Sequence, residues 1–451
     1  MKKPLLLTIL LVLLNISTNA QSYIGFTLDN YSGIQSLSSN PANVVDSPFK
    51  ADINLISVSF FGGSDYLGIN VRDIINSDGG FDFDLDTEKF PKNNNNFFFN
   101  ADILGPSFMF NLNKKSSIAI TTRVRAFLNI KNINGELYES LADGFDQTND
   151  FEFNMENFNG TIHAWGEIGL TYGRILIKND KHLLKSGITL KYLQGAGAGF
   201  FNSPSMSGQY NASANTLTTS GNLSYGLSQQ DFDSNDIDYK NLTSGFGVDI
   251  GVAYQWNEKN QNVVNDSVRI NYTKYKLKIG ASITDIGSIN YKEGEITRYD
   301  LNNTVDATVF DAGDTEQTLK DNYSGVTTPA SAKIKLPTAL NLLIDYRIKN
   351  KLFASVSSSF SLVAKNTENS NSIINTVTIA PRLETKWFSI YSPVSFRQYG
   401  DLAWGAGLRF GPLMVGSGSV LTNLFSDTSK TTDVYFGLKI PIYRKFEKKI
   451  N

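Results

Sequence analysis

Leu340-Asn341-Leu342-Leu343-Ile344-Asp345-Tyr346 is the stretch that decides the fold. As an extended strand it places Leu340, Leu342, Ile344 and Tyr346 on one face. Asn341, Leu343, Asp345 and Arg347 fall on the other, because successive side chains of a strand point to opposite sides. Leu402, Trp404, Ala406, Leu408 and Phe410 repeat the pattern against Ala403, Gly405, Gly407 and Arg409. Val434, Phe436, Leu438 and Ile440 repeat it again opposite Tyr435, Gly437 and Lys439. In a soluble sheet the apolar face meets a core. In a closed transmembrane barrel it meets lipid, and the polar face lines the lumen.

The rest of the chain favours the barrel. The pattern predicts fourteen strands, at about 50–61, 99–112, 116–131, 160–178, 183–201, 243–256, 270–290, 331–348, 351–364, 373–386, 387–398, 401–411, 412–420 and 431–443. Several are long enough to cross a bilayer at a tilt, which takes about 9 to 11 residues. The gaps between them alternate in length. Gaps 62–98, 132–159, 202–242 and 291–330 are long, and those at 365–372 and 421–430 are shorter. The intervening gaps are mostly tight turns, such as Asn113-Lys114-Lys115, Asn179-Asp180-Lys181-His182 and Gly411-Pro412, with 257–269 as the exception. Long loops on one rim and short turns on the other mark an outer-membrane barrel, and an even strand count puts both termini on the short-turn side. Closure also removes the edge strands that lipid cannot satisfy. Tyr172, Tyr254, Trp256, Tyr346, Trp387 and Tyr443 stand near strand ends, as an interfacial aromatic girdle would.

Composition narrows the function. Charged residues make up 19% of the 451, below the usual quarter of a soluble domain. The net charge of −2 leaves no cationic excess for nucleic acid. The chain has no Cys, so disulfides, thiol nucleophiles and thiolate metal sites are excluded. Lys2 and Lys3 precede the apolar run Leu5–Leu14, and Thr18-Asn19-Ala20 offers small residues for cleavage. Residues 1–20 are therefore expected to be a secretory signal peptide, with the mature chain starting at Gln21 and leaving the cytoplasm for the cell outer membrane.

Alternation also selects the inward side chains. Ile118, Ile120, Val124 and Leu128 face out, with Thr121, Arg123 and Arg125 opposite. Ile162, Ile168, Leu170 and Tyr172 face out, with His163, Trp165, Glu167 and Thr171 opposite. Asp249 and Gln255 face in, and Lys191, Lys278, Asp345, Arg347, Arg382, Glu384, Arg409 and Lys439 join them. Both signs occur in similar number. That mixture suits a cross-bracing network better than a single-sign selectivity ring.

Asn40-Pro41-Ala42 lies about twenty residues into the expected mature chain, just before the first strand. By itself it is a turn: Asn caps, Pro fixes φ and Ala packs closely. At this position in an exported fourteen-stranded barrel it resembles the long-chain fatty-acid transporter family of outer-membrane proteins. That resemblance implies that residues 21–49 form a plug, or hatch, inside the lumen, followed by the barrel at 50–451. The wider stretch from Asn30-Tyr31-Ser32-Gly33 to Asp46-Ser47, and Thr284-Asp285-Ile286-Gly287-Ser288-Ile289, look more like an uncharacterised set of barrels from Bacteroidota. The resemblance covers the architecture of nearly the whole chain but is sharp only in these short motifs. No hydrophobic binding residue of the transporters has a matching motif here, and fold transfers better than substrate.

Other chemistry is weaker. His182 sits in a predicted turn, and His163 faces the lumen beside Glu167 without a nucleophile motif. Gly195-Ala196-Gly197-Ala198-Gly199 reads as a flexible strand end, since it opens no helix and lacks the dinucleotide fingerprint. Asp82, Asp84 and Asp86 lack the Gly and Glu of a Ca²⁺ loop. Residues 136–145 suit a short helix at the barrel mouth, with Leu137, Leu141 and Phe145 on one side. The expectation is thus an all-β, 14-stranded antiparallel transmembrane β-barrel with an N-terminal plug, not an enzyme, using no metal or cofactor. Its expected partners are membrane lipid and a small hydrophobic ligand held in the mouth under the long loops. The expected role is passive uptake or passage of such molecules. The alternative is a barrel subunit or scaffold of a secretion or surface-protein assembly, with a protein partner at the extracellular loops.

Overall fold

Alternating side chains need two environments, and a closed sheet supplies them. The computed structural model describes residues 23–70, 87–145, 148–228, 242–258, 275–310, 315–400 and 402–444. The expected signal peptide and the acidic stretch Asp82–Asp86 lie outside these residues. Fourteen antiparallel strands form the wall. The first seven are β1 (Phe49–Ser64), β2 (Asn95–Leu104, resumed at Ser107–Asn111), β3 (Ser116–Ile133), β4 (Phe151–Lys178), β5 (His182–Asn211), β6 (Thr243–Asn257) and β7 (Tyr275–Asp300). The rest are β8 (Ser324–Lys335, resumed at Ala339–Lys349), β9 (Leu352–Ser361), β10 (Thr376–Glu384), β11 (Phe388–Tyr391 and Val394–Arg397), β12 (Leu402–Trp404 and Ala406–Phe410), β13 (Leu413–Ser417) and β14 (Thr431–Tyr443). Each pairs with the next, and β14 closes on β1 from Phe49↔Tyr443 to Gly63↔Thr431.

The faces separate as the period of two requires. Leu342, Ile344 and Tyr346 are 40–50% exposed on the outer surface, whereas Asp345 and Arg347 between them are buried. Ile162, Ile168, Leu170, Ile188, Leu190, Ile250, Val252, Leu408 and Phe436 continue the outer apolar surface around the wall. A closed antiparallel barrel with an apolar exterior is the architecture of outer-membrane proteins. No helix of the described residues is long and apolar enough to cross a membrane. Tyr172, Trp256, Tyr346 and Trp387 are exposed near the short-turn rim, and Lys386 Nζ lies 4.5 Å over the Tyr443 ring.

The wall is taller on one side than the alternation indicates. β4 begins at Phe151, β5 runs on to Asn211, β7 to Asp300, and β8 already starts at Ser324. An extra strand, Thr216–Leu227, fills the slot above β6: it pairs with β5 (Gly199↔Leu227) and with β7 (Glu295↔Leu227). The long gaps 202–242 and 291–330 are therefore largely a raised sheet and not loops. Their Ser, Thr and Asn content hid them, because both faces there are polar or half-exposed. The Gly195–Gly199 stretch is likewise not a strand end. It lies mid-strand, where a register shift sets Ala164↔Gly197 beside Trp165↔Gly195, and a side chain at Gly195 would collide with the Tyr291 ring.

Two helices cover the raised sheet. α1 (Gly135–Asp143) is capped by Asn134, whose side chain accepts from the Leu137 N–H at 2.9 Å. It buries Leu137 with Phe153, Met155, Tyr210, Leu217, Tyr299 and Tyr323, and Leu141 and Phe145 pack alongside. α2 (Thr315–Asn322) adds Leu319 to the same cluster. A third helix, α3 (Val420–Phe425), fills the first half of the gap expected at 421–430, after β13 has ended at Ser417.

Candidate functional site

The inner wall is polar, and residues 23–48 pack against it. Three 3₁₀ turns, Phe26–Leu28, Gly33–Ser38 and Pro41–Val44, make up most of this segment. Asn40 is extended and starts the third turn, with Pro41 at its first position, where the missing N–H costs nothing. The Asn40 Oδ1 accepts from the Ala42 N–H at 2.9 Å. Its Nδ2 donates to the carbonyls of Val252 on β6 (3.1 Å) and Ala281 on β7 (3.3 Å). Two glycines make room for the motif. A Cβ at Gly251 would meet the Asn40 side chain and Pro41 ring, and one at Gly187 would meet the backbone of Pro41 and Ala42.

Further bonds run around the wall. Asp29 accepts from Arg409 Nε on β12 at 3.0 Å and from its own neighbour Tyr31 N at 2.8 Å. Burial works against the Asp29 charge, but Arg409, the Ser389 hydroxyl and the Tyr31 N–H outweigh it and hold the carboxyl below its usual range. Asn30 donates through its backbone N to Glu384 on β10 at 3.2 Å, and Tyr275 on β7 donates to Asn30 Oδ1 at 2.9 Å. Lys439 on β14 donates to the Tyr31 and Ser32 carbonyls at 2.8 Å each and to Asp52 on β1 at 3.1 Å. Lys185 on β5 donates to the Val45 carbonyl at 2.9 Å.

The predicted inward charges fall into groups. Arg123, Arg125, Glu167, Lys191 and Asp249 come together. Arg123 is paired with Asp102 and lies 3.4 Å from Glu167; Lys191 lies 2.9 Å from Asp249 and 2.7 Å from Asp285; Arg125 lies 2.8 Å from Asp285. Asp345, Arg382 and Glu384 form a second group, with Arg382 at 2.7 Å from Asp345 and 3.0 Å from Glu384. Arg409 and Lys439 join neither group and hold the N-terminal segment instead. Arg347 is buried, and Lys278 borders a small cleft with Asn40, Asn43 and Asn341. His163 is not beside Glu167 in any bonded sense: its ring nitrogens engage Asn371 Oδ1 and Tyr291 Oη, each at 3.0 Å.

Several partners escaped sequence reading. Asp102 obeys the alternation of β2 and was legible in principle, as was Arg397, which pairs with Asp433 at 2.5 Å. Asp285 did not obey it. Its φ of 58° and a register shift beside Asp249 re-aim the side chain inward, and the Asp285 N–H donates to Asp249 at 2.7 Å. The Thr284–Gly287 motif was the only signal for it. Arg125 and Asp285 sit on β3 and β7, so their bond spans the lumen between strands that are not neighbours.

At the long-loop rim a cavity of about 230 Å³ opens between β2, β3 and the loops after β9 and β11. Phe97, Phe98, Ile130 and Ile374 give it apolar walls; Lys131, Lys365 and several amides give it polar ones. Tyr399 stands at its edge, its hydroxyl pushed up to about 12 by burial, with Asp65 nearby adding to the shift. Phe98 and Ile374 also pack on Ile24 of the N-terminal segment and on Phe61. The cavity floor and the top of the segment are thus one apolar cluster.

A family model described as "Family of unknown function (DUF5723)" matches residues 41–418. No curated protein matches. Among solved structures, a deletion mutant of the TodX monoaromatic hydrocarbon channel aligns with a TM-score of 0.46 at 10% identity, over 91% of this chain and 94% of its own. A FadL homologue of Pseudomonas aeruginosa aligns at 0.43 and 11% identity, over 94% and 99%. The toluene transporter TbuX of Ralstonia pickettii aligns at 0.41 and 8% identity, over 92% and 95%.

Proposed function

The chain belongs to the DUF5723 family, whose function is unknown, and we propose that it is an outer-membrane barrel for passive passage of small hydrophobic molecules, closed at rest by residues 21–49 acting as a plug. Residues 1–20 serve as its signal peptide. The observation that carries this is the shared cluster of Ile24, Phe61, Phe98 and Ile374. A solute entering the mouth cavity would rest directly on the top of the plug. Below it, the plug is bonded to the wall from β1 around to β14, largely through hydrogen bonds to side chains such as Lys439, Lys185 and Glu384. Each of these bonds involves a charged side chain and is worth about 1.5–3 kcal/mol net, and the buried Asp29–Arg409 pair adds to the hold. In this reading the plug is released as a unit against that cost, without the wall opening. The inward charges Arg123, Arg125, Glu167, Lys191, Asp249, Asp345, Arg382 and Glu384 brace the wall and select no single sign of solute.

A second reading, a barrel subunit of a secretion or surface-protein assembly, draws on the Arg125–Asp285 bond across the lumen and on the raised sheet above it. Purification from outer membrane in mild detergent, with mass spectrometry of everything retained, separates the two. Passage predicts a small apolar molecule released on denaturation and no stoichiometric protein. A stoichiometric protein partner with no small molecule would overturn it in favour of the assembly role.

A further inference from the structure

We propose that residues 365–375 form a lid over the lumen, a strap latched to the far wall at Asn129 and His163, which lifts to let a solute down from the mouth cavity. The proposal rests on the passage reading above and adds a step of control to it. The chain leaves β9 at Ser361 and rejoins the wall at Thr376, where β10 starts. At this root Asn375 Oδ1 accepts from the Ser361 N–H at 3.1 Å. The other bonds of the strap are made far away. Asn129 on β3 exchanges two bonds with Ser372: its Nδ2 donates to the carbonyl at 3.1 Å, and its Oδ1 accepts from the N–H at 2.9 Å. His163 on β4 meets Asn371 Oδ1 through Nδ1 at 3.0 Å. Asn202 on β5 donates to Glu368 at 2.7 Å. On β8 the Lys335 N–H donates to the Asn369 carbonyl at 3.0 Å, and the Asn371 N–H donates to the Lys335 carbonyl at 3.1 Å. In a closed ring of fourteen strands, β3 lies six places from β9 and β4 six from β10. Asn129, His163 and Asn371 are all buried. Bonds that reach inward-facing side chains this far round the ring cross the lumen.

The strap can leave without disturbing the wall. β9 and β10 pair with each other from Leu352↔Leu383 to Ser359↔Thr376, and none of those pairs involves it. Lys365-Asn366-Thr367-Glu368-Asn369-Ser370-Asn371-Ser372 has no apolar side chain, so water can replace each bond the segment gives up. Its apolar contacts come from Ile373, against the cluster of Phe127, Trp165 and Leu193, and from Ile374, against Ile24 and Phe98. The seated position also carries a penalty. Asn371 Nδ2 is buried with no partner among the described residues, and an unpaired buried donor is unfavourable. Lifting would return it to water. Ser372, Ile373, Ile374 and Asn375 line the mouth cavity. A solute held there has the strap between it and the far wall, and Ile374 joins the strap to the top of the N-terminal segment.

Thiol labelling of the purified full-length barrel in liposomes tests this, because the chain has no Cys of its own. Ser370→Cys places a nearly isosteric thiol on the seated strap, where Ser370 is 3% exposed. Asn366→Cys places one on its exposed part. A membrane-impermeant maleimide should label position 366 rapidly and position 370 on the order of tenfold more slowly, or slower still. Adding Asn129→Ala, or separately His163→Leu, to Ser370→Cys should speed its labelling by about tenfold, as the loss of one or two hydrogen bonds implies. Uptake of a small apolar solute should rise with it, in barrels that still run folded on unheated gels. If His163→Leu does not fold, Asn129→Ala carries the test. Labelling at 370 as fast as at 366, labelling unchanged in the unlatched forms, or measurable uptake that unlatching does not raise would each overturn the proposal. Uptake absent from every form, with position 370 unmasked on unlatching, would remove the passage reading and keep the lid.

Discussion

Asp29 and Arg409 show how a single pair can fix the position of a whole segment. Both are fully buried, so removing one leaves an uncompensated charge. Asp29→Asn is expected to cost the segment's attachment about 3–5 kcal/mol, the usual penalty for breaking a buried pair. Hydrogen exchange should then rise in residues 26–38 while the β6 and β7 amides keep their protection. The pH dependence has a definite sign. The folded carboxyl is held below its unfolded value, so its contribution is complete above about pH 4. It is lost as pH falls through the depressed folded value, and acid should loosen the segment before it unfolds the wall. Gly187→Ala tests the close approach from the other side. The new methyl would meet the Pro41 and Ala42 backbone, which cannot rotate away, so protease cleavage after the third 3₁₀ turn should increase without loss of barrel folding. Residues of this kind were only half legible. Arg123, Glu167 and Asp345 follow from the period of two, but Asp285 turns inward through a left-handed backbone that no alternation anticipates.

Strands show the same divide one level up. β8 through Ala339–Lys349 and β14 were readable because lipid on one side and a polar interior on the other enforce strict alternation. The fourteen-strand count, the short turns at 113–115, 179–181 and 411–412, and the helix at the mouth all follow from local pattern. The raised sheet does not. In Thr216–Leu227 Ser and Thr fall on both faces, and the strand earns its place by pairing with the far ends of β5 and β7. The expectation is that amides in 206–211 and 216–223 exchange slowly, as strand and not as loop. Rapid exchange there would show that the raised sheet is not formed in solution. The Asn40-Pro41-Ala42 motif was legible as a turn, but its fit against Gly187 and Gly251 depends on which wall strands face it, and no local signal carries that.

At the scale of the molecule, the outer face must meet lipid. The four tryptophans offer a direct check. Trp256, Trp387 and Trp404 are 39–58% exposed on the outer surface, while Trp165 is 1% exposed within the wall. In bilayers of brominated lipid, single-tryptophan variants keeping position 256, 387 or 404 should be quenched, and the one keeping Trp165 should not. Quenching of Trp165 would place the inner face against lipid and invert the barrel. In the proposed reading the interior beneath the strap has two layers of closure, the charged group centred on Asp285 and the N-terminal segment, and passage requires at least the second to move. The absence of native Cys makes that motion testable with one engineered cross-link. Asn40→Cys with Gly251→Cys would tie the segment to β6, because a side chain at position 251 would meet the one at position 40. Uptake of a small apolar solute into proteoliposomes should stop on oxidation and return on reduction, whereas uptake by either single variant should not depend on redox state. Undiminished uptake with the cross-link fully formed would contradict a moving plug.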